Sequence, residues 1–139
     1  MFVLDTNVVS QLMRPSPEQA VLWWVQEQPL DQLALTAVTV AEILYGLDQL
    51  PEGRRKADLF HQFQLFLARG FTDRILPFDE RAAQAYAELK GARDRAGRPM
   101  TGYDAMIAAI AQVHGAGVAT RNVKDFEGCS ITVLDPWQA

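Results

Sequence analysis

Phe2-Val-Leu-Asp-Thr-Asn-Val8 opens the sequence with a short apolar run that ends at three polar residues. An apolar run of this length, followed directly by helix-capping side chains, predicts a buried strand that leads into a helix. The same arrangement recurs downstream, where an apolar run at 33–38 precedes the helical spacing of 39–46. Buried strands that alternate with helices predict an α/β fold with a central parallel sheet.

The rest of the chain extends this alternation. Apolar spacing predicts helices over 17–28, 52–69, 82–96 and 102–114, and strands at 75–78, 118–120 and 131–134. Pro77 has no amide hydrogen to donate, so we expect its strand to lie at an edge of the sheet. No repeat or linker interrupts the pattern, and we expect one domain over residues 1–139, with helices on both faces of the sheet.

Composition excludes several classes of protein. No apolar run approaches the roughly 20 residues that span a bilayer, so we expect no membrane contact and a cytoplasmic location. The only cysteine, Cys129, has no partner for an internal disulfide and no neighbours suited to structural zinc.

The net charge is −4, yet ten of the 13 basic residues fall between Arg54 and Arg98. That segment forms either a solvated helical surface or a stripe that contacts phosphates.

Four acidic residues lie at predicted helix starts, and they are Asp5, Glu42, Asp104 and Asp125. Each has an ordinary explanation as a helix cap, and Thr39 with Glu42 fits a capping box. However, helices that follow parallel strands all begin at one edge of the sheet, which gathers three of the four acids there. Periodicity alone does not bring Asp104 to that edge. Carboxylates gathered without cations repel one another, which favours a hard divalent ion such as Mg²⁺ between them.

Four motifs carry a family resemblance, and they occupy residues 2–8, 39–46, 104–111 and 120–128. Together with the ending at 133–137, they resemble a PIN-domain ribonuclease of the VapC or FitB type. The resemblance covers the whole chain and implies a PIN-like three-layer fold. It also implies a Mg²⁺ or Mn²⁺ site that is formed by Asp5, Glu42, Asp104 and Asp125. Thr6 and Asn122 are then expected to support these ligands.

The resemblance also implies an activity and partners. A protein of this kind hydrolyses RNA phosphodiester bonds with a metal-activated water, and a carboxylate such as Glu42 would accept the water's proton. It is the toxin half of a toxin–antitoxin pair, is typically a homodimer, and is restrained by an antitoxin that carries a DNA-binding domain.

Three other interpretations compete with this one. A haloacid-dehalogenase-like phosphatase needs an aspartate two residues after its nucleophile, where this chain has Asn7. A receiver-type signalling module needs adjacent acids after its first strand, and Asp5 is followed by Thr6. A catalytically silent PIN-like binding partner stays open. The two histidines, His61 and His114, fall in no motif, so covalent catalysis has little support.

Overall fold

The computed structural model describes all 139 residues and contains one five-stranded sheet. The strands are β1 (Phe2–Leu4), β2 (Leu33–Thr36), β3 (Ile75–Leu76), β4 (Gly117–Ala119) and β5 (Val133–Leu134). Their order across the sheet is β3-β2-β1-β4-β5, and every neighbouring pair is parallel. The predicted α/β architecture is therefore confirmed, and β3 lies at an edge as its following proline requires.

Six helices surround the sheet. They are α1 (Thr6–Leu12), α2 (Gln19–Glu27), α3 (Ala37–Asp48), α4 (Arg54–Gly70), α5 (Glu80–Arg95) and α6 (Gly102–Val113). Short 3-10 turns occur at Leu30–Gln32 and Val123–Asp125. No helix is both long enough and apolar enough to cross a membrane.

Helix α3 begins two residues earlier than the sequence pattern predicts. The side chain of Thr36 accepts a hydrogen bond from the Thr39 amide at 3.1 Å, so Thr36 is the N-cap and β2 ends there. The predicted capping box of Thr39 and Glu42 is therefore wrong. Glu42 lies in the second turn of α3, where its carboxylate is not needed to cap the helix.

Two hydrophobic cores lie on opposite faces of the sheet because successive strand residues point in opposite directions. Val3 and Ala34 belong to the core formed with α5 and α6. Leu4 and Leu35 belong to the core formed with α1, α2 and α4. This three-layer packing buries both faces of the central strands, which is the usual situation of a parallel sheet.

The strand order reverses between β1 and β4. From β1 the chain moves outward to β2 and β3, and it then returns to place β4 on the other side of β1. Asp5 follows β1 and Thr120 follows β4, and the Asp5 amide donates to the Ala119 carbonyl at 2.9 Å. In open parallel sheets, ligands bind outside the carboxyl ends of the strands at such a reversal. The strand order therefore predicts a ligand site around Asp5.

Gly117 begins β4 in a space that admits no side chain. A β-carbon at this position would lie 2.8 Å from the Thr132 carbonyl oxygen and 2.7 Å from the Phe2 ring. The backbone oxygen is part of the β4–β5 ladder, since the Val118 amide donates to it at 2.8 Å. The two strands that flank β4 can therefore approach it only because residue 117 is glycine.

We expect Gly117→Ala to lower the free energy of unfolding by about 1–3 kcal/mol, because the added methyl group overpacks the sheet. Gly46→Ala is the matched control: nothing lies within 4 Å of the new methyl group on α3. That substitution should stabilise the protein by about 0.5–1 kcal/mol through helix propensity. Urea denaturation of both variants measures the difference, and equal effects would contradict the close approach of β4 to its neighbours.

Candidate functional site

Asp5 is a buried carboxylate, 5% exposed, at the end of β1. One of its oxygens caps α1 by accepting from the Thr6 amide at 2.8 Å. The other accepts from the Thr120 hydroxyl at 2.8 Å and from the Asn7 side-chain amide at 3.3 Å. These three donors hold the carboxylate in one orientation at the point where the strand order reverses.

Glu42 reaches the same region from α3. Its Oε1 accepts a hydrogen bond of 2.8 Å from the Thr6 hydroxyl, while the Thr6 amide binds Asp5. Thr6 thus links the first two acids of the predicted set through its backbone and its side chain. This contact is consistent with the supporting role that the sequence analysis predicts for Thr6.

Asp104 and Asp125 lie on α6 and on the turn after β4. Asp104 occupies the first turn of α6, where its amide donates to the N-cap Thr101 at 3.2 Å and its side chain is partly exposed. Asp125 ends the 3-10 turn and is exposed. The side chain of Asn122 makes no capping hydrogen bond to this turn. Asn122 contributes only through its backbone amide, which donates to the Thr120 hydroxyl at 3.0 Å.

The charges of these acids influence one another. Burial raises the pKa of the Asp5 carboxyl above its ordinary value, and the negative charges of Glu42 and Asp125 raise it further. Hydrogen bonds from Thr120 and Thr6 act in the opposite direction. Burial also raises the pKa of Asp104, with added repulsion from Asp5 and Asp125. The structure thus brings the four predicted acids into one electrostatic neighbourhood, including the one that periodicity did not place.

No basic side chain forms an ion pair with any of these four acids. The three ion pairs of the protein lie elsewhere, between Lys56 and Glu52, Lys90 and Asp94, and Arg98 and Glu127. No three acidic, histidine or cysteine side chains converge closely enough to hold a metal ion by themselves. Mg²⁺ retains several waters and is usually held by one or two carboxylates together with substrate phosphates. These oxygen donors, none of which is in an ion pair, therefore fit such an ion.

Three further residues support the site and were missed by the sequence analysis. Asn7 and Thr120 bind Asp5, and both lie inside the motifs at 2–8 and 120–128, next to residues that were predicted. Arg93 lies on α5, is 6% exposed, and donates to the carbonyl oxygens of Asp125 at 3.2 Å and Glu127 at 2.6 Å. Its guanidinium thereby holds the segment that carries Asp125, and its positive charge also lowers the pKa of Asp104.

Comparisons with known proteins agree with this fold. Residues 2–127 match the model of the PIN domain family. VapC ribonuclease Y4jK of Sinorhizobium fredii is 38% identical over 138 residues, which cover 99% of each chain. Toxin FitB of Neisseria gonorrhoeae is 36% identical over 137 residues, again 99% of each chain. The crystal structure of FitAcB from the same organism superimposes with a TM-score of 0.94 at 36% identity and covers all of both chains.

The raised pKa values of Asp5 and Asp104 predict how stability depends on pH in metal-free protein. Because both carboxyls bind protons more tightly when folded, the folded state holds more protons than the unfolded chain just above pH 3.8. Their contribution to the free energy of unfolding should therefore increase as the pH falls from neutral through the raised values. Melting curves in EDTA, recorded from pH 7 downwards, measure this trend.

Asp104→Asn removes one repelling charge with little change of shape, so we expect it to raise the metal-free melting temperature at pH 7. The matched control is Asp58→Asn, an exposed acid of α4 that makes no ion pair. A destabilised Asp104→Asn protein would show instead that the carboxylate serves mainly to stabilise the start of α6.

Proposed function

The chain belongs to the PIN-domain family, and on that premise we propose that it is a metal-dependent endoribonuclease and the toxin of a toxin–antitoxin pair. Residues 1–139 would form its single catalytic domain. The observation that carries the proposal is the group of four carboxylates without basic ion-pair partners, two of them with raised pKa values, where the strand order reverses. The relative named VapC ribonuclease supports RNA as the substrate class.

Asp5 and Asp104 would be the principal ligands of Mg²⁺ or Mn²⁺, and Glu42 and Asp125 would complete the set. When bound, the cation would supply a positive charge that activates water and stabilises the charge that develops on the phosphate. Thr120 and Asn7 fix the orientation of Asp5, so its lone pairs are directed before any ion arrives. Arg93 likewise holds the segment that carries Asp125, because its guanidinium donates to the Asp125 carbonyl oxygen.

Glu42 is suited to the proton transfer of the reaction. Its carboxylate is partly exposed and is held by a single hydrogen bond from Thr6, which leaves its second oxygen available. In the proposed reaction, water attacks the phosphorus atom and one of its protons passes to Glu42, while one P–O ester bond breaks and the departing oxygen takes a proton from solvent. No side chain forms a covalent bond with the substrate.

An antitoxin partner is proposed from the surface as well as from the relatives. An apolar groove of about 500 Å³ lies between α1, α2 and α4, and its walls include Leu12, Val25 and Phe66. Such a groove suits the apolar face of a helix. The relative named Toxin FitB supports the toxin role, and the solved structure of FitAB bound to a DNA fragment supports a partner within a complex that binds DNA. We also propose a homodimer, since Trp23 and Tyr45 leave 56% and 67% of their surface exposed. An RNA substrate would place the protein in the cytoplasm.

We expect Asp5→Asn and Asp104→Asn each to reduce RNA cleavage by at least ~100-fold, since each removes a carboxylate that would hold the cation on which the transition state depends. EDTA should abolish cleavage in the same assay, and Mg²⁺ or Mn²⁺ should restore it. The assay follows purified protein with total RNA on a denaturing gel, with Asp58→Asn as the control that keeps full activity. Undiminished cleavage by either site variant would refute the assignment.

Production of the protein alone should slow bacterial growth, and co-production of the short reading frame next to its gene should relieve the effect. Asp104→Asn should be harmless although it is produced at the same level. Growth curves and co-purification of the two products measure the outcome. If active protein leaves growth unaffected and binds no neighbour-encoded product, the toxin role fails while the nuclease role stands.

A further inference from the structure

A second groove, of about 370 Å³, lies between α1, α3 and the start of α4. Thr6 and Glu42 are among the residues that line it, so the groove reaches the Glu42 side of the candidate site. Its volume falls in the range of roughly 300–1,000 Å³ that is typical of ligand pockets. It is therefore large enough to hold part of a substrate beside the candidate site.

Two arginines line this groove. Arg14 follows α1, Arg55 lies in the first turn of α4, and both are exposed. Neither takes part in any of the protein's three ion pairs. Guanidinium groups bind phosphate through paired hydrogen bonds, and an exposed arginine without a carboxylate partner is free to do so. Each can therefore hold one phosphate of a nucleic acid.

The rest of the groove suits a nucleotide rather than a purely anionic ligand. Its lining includes the apolar side chains of Ile43, Leu47 and Leu59, against which the flat face of a base can pack. A protein of net charge −4 repels nucleic acid, so local cations must offset the acidic cluster. The two arginines provide them on the side of the cluster where the end of α1 and the start of α4 line the groove.

We infer that this groove holds the single-stranded RNA segment next to the phosphodiester that is cleaved, with its phosphates on Arg14 and Arg55 and a base against the apolar lining. The inference rests on the proposed ribonuclease function and adds where the substrate binds. Contacts of this kind position the RNA strand and do not recognise its base sequence. Selectivity for particular bases then depends on other parts of the protein.

The test measures how fluorescein-labelled 12-nucleotide oligouridine binds to wild type, Arg14→Ala, Arg55→Ala and the double variant. Fluorescence anisotropy is recorded from 50 to 300 mM salt, once in EDTA and once in Mg²⁺. Each lost phosphate contact should reduce the slope of log affinity against log salt by about 0.7. The double variant should lose about 1.4 in slope, and its Kd at 50 mM salt should rise on the order of tenfold or more.

Arg54→Ala is the matched control, because Arg54 precedes Arg55 on α4 but does not line the groove. It removes the same charge and should change the slope by clearly less than Arg55→Ala. The variants Arg14→Lys and Arg55→Lys preserve the positive charge and should retain most of the slope of log affinity against log salt. A merely structural role of the two arginines would not explain this dependence on charge. Melting temperatures of all variants verify that each is folded.

The outcomes separate this inference from the function on which it rests. If wild type binds RNA and the double variant matches Arg54→Ala in slope and affinity, the inference is overturned and the ribonuclease proposal stands. If wild type neither binds nor cleaves RNA under either condition, both are overturned. If the double variant keeps its RNA affinity but no longer co-purifies with the neighbour-encoded product, the groove binds a protein partner and the inference is again wrong.

Discussion

The pairing of β1 with β4 is the constraint on which the candidate site depends. Leu4 lies opposite Ala119 in this ladder, so the next residues, Asp5 and Thr120, emerge together at the carboxyl edge of the sheet. The Thr120 hydroxyl then donates to the Asp5 carboxylate at 2.8 Å. A shift of one strand by one residue would turn its side chain to the opposite face of the sheet and so separate this pair. The site is thus a direct product of strand alignment.

The acidic cluster is kept at a cost to stability, and the surrounding hydrogen bonds offset part of it. Burial disfavours the ionised form of Asp5, while Thr120 and the Thr6 amide favour it. Arg93 plays a comparable part on the other side of the cluster, where its charge lies near Asp104 and its donors bind backbone carbonyls. The fold therefore holds mutually repelling charges by surrounding them with fixed donors. A divalent cation would remove the remaining repulsion.

The sequence was sufficient for the order of the elements, because apolar periodicity separates strands from helices. It also located Asp5, since the end of a buried first strand is fixed by its own residues. It failed at the start of α3, where Thr36 and Thr39 are both good caps and only the length of β2 decides between them. Arg93 falls on the buried face of α5 with Ala85 and Leu89, but its charge favours an exposed position. It was missed because the carbonyl oxygens that bind it lie more than 30 residues away in the sequence.

The two outermost strands limit how this molecule can associate with others. Strands β3 and β5 each contain only two residues, and Pro77 directly follows β3. Such short edges present few free backbone groups, and a proline interrupts the row of donors on one of them. An extended peptide would therefore gain few backbone hydrogen bonds by adding a sixth strand on either side. Recognition is left to helix surfaces, where side chains rather than backbone discriminate between partners, and closely related proteins in one cell can keep their interactions separate.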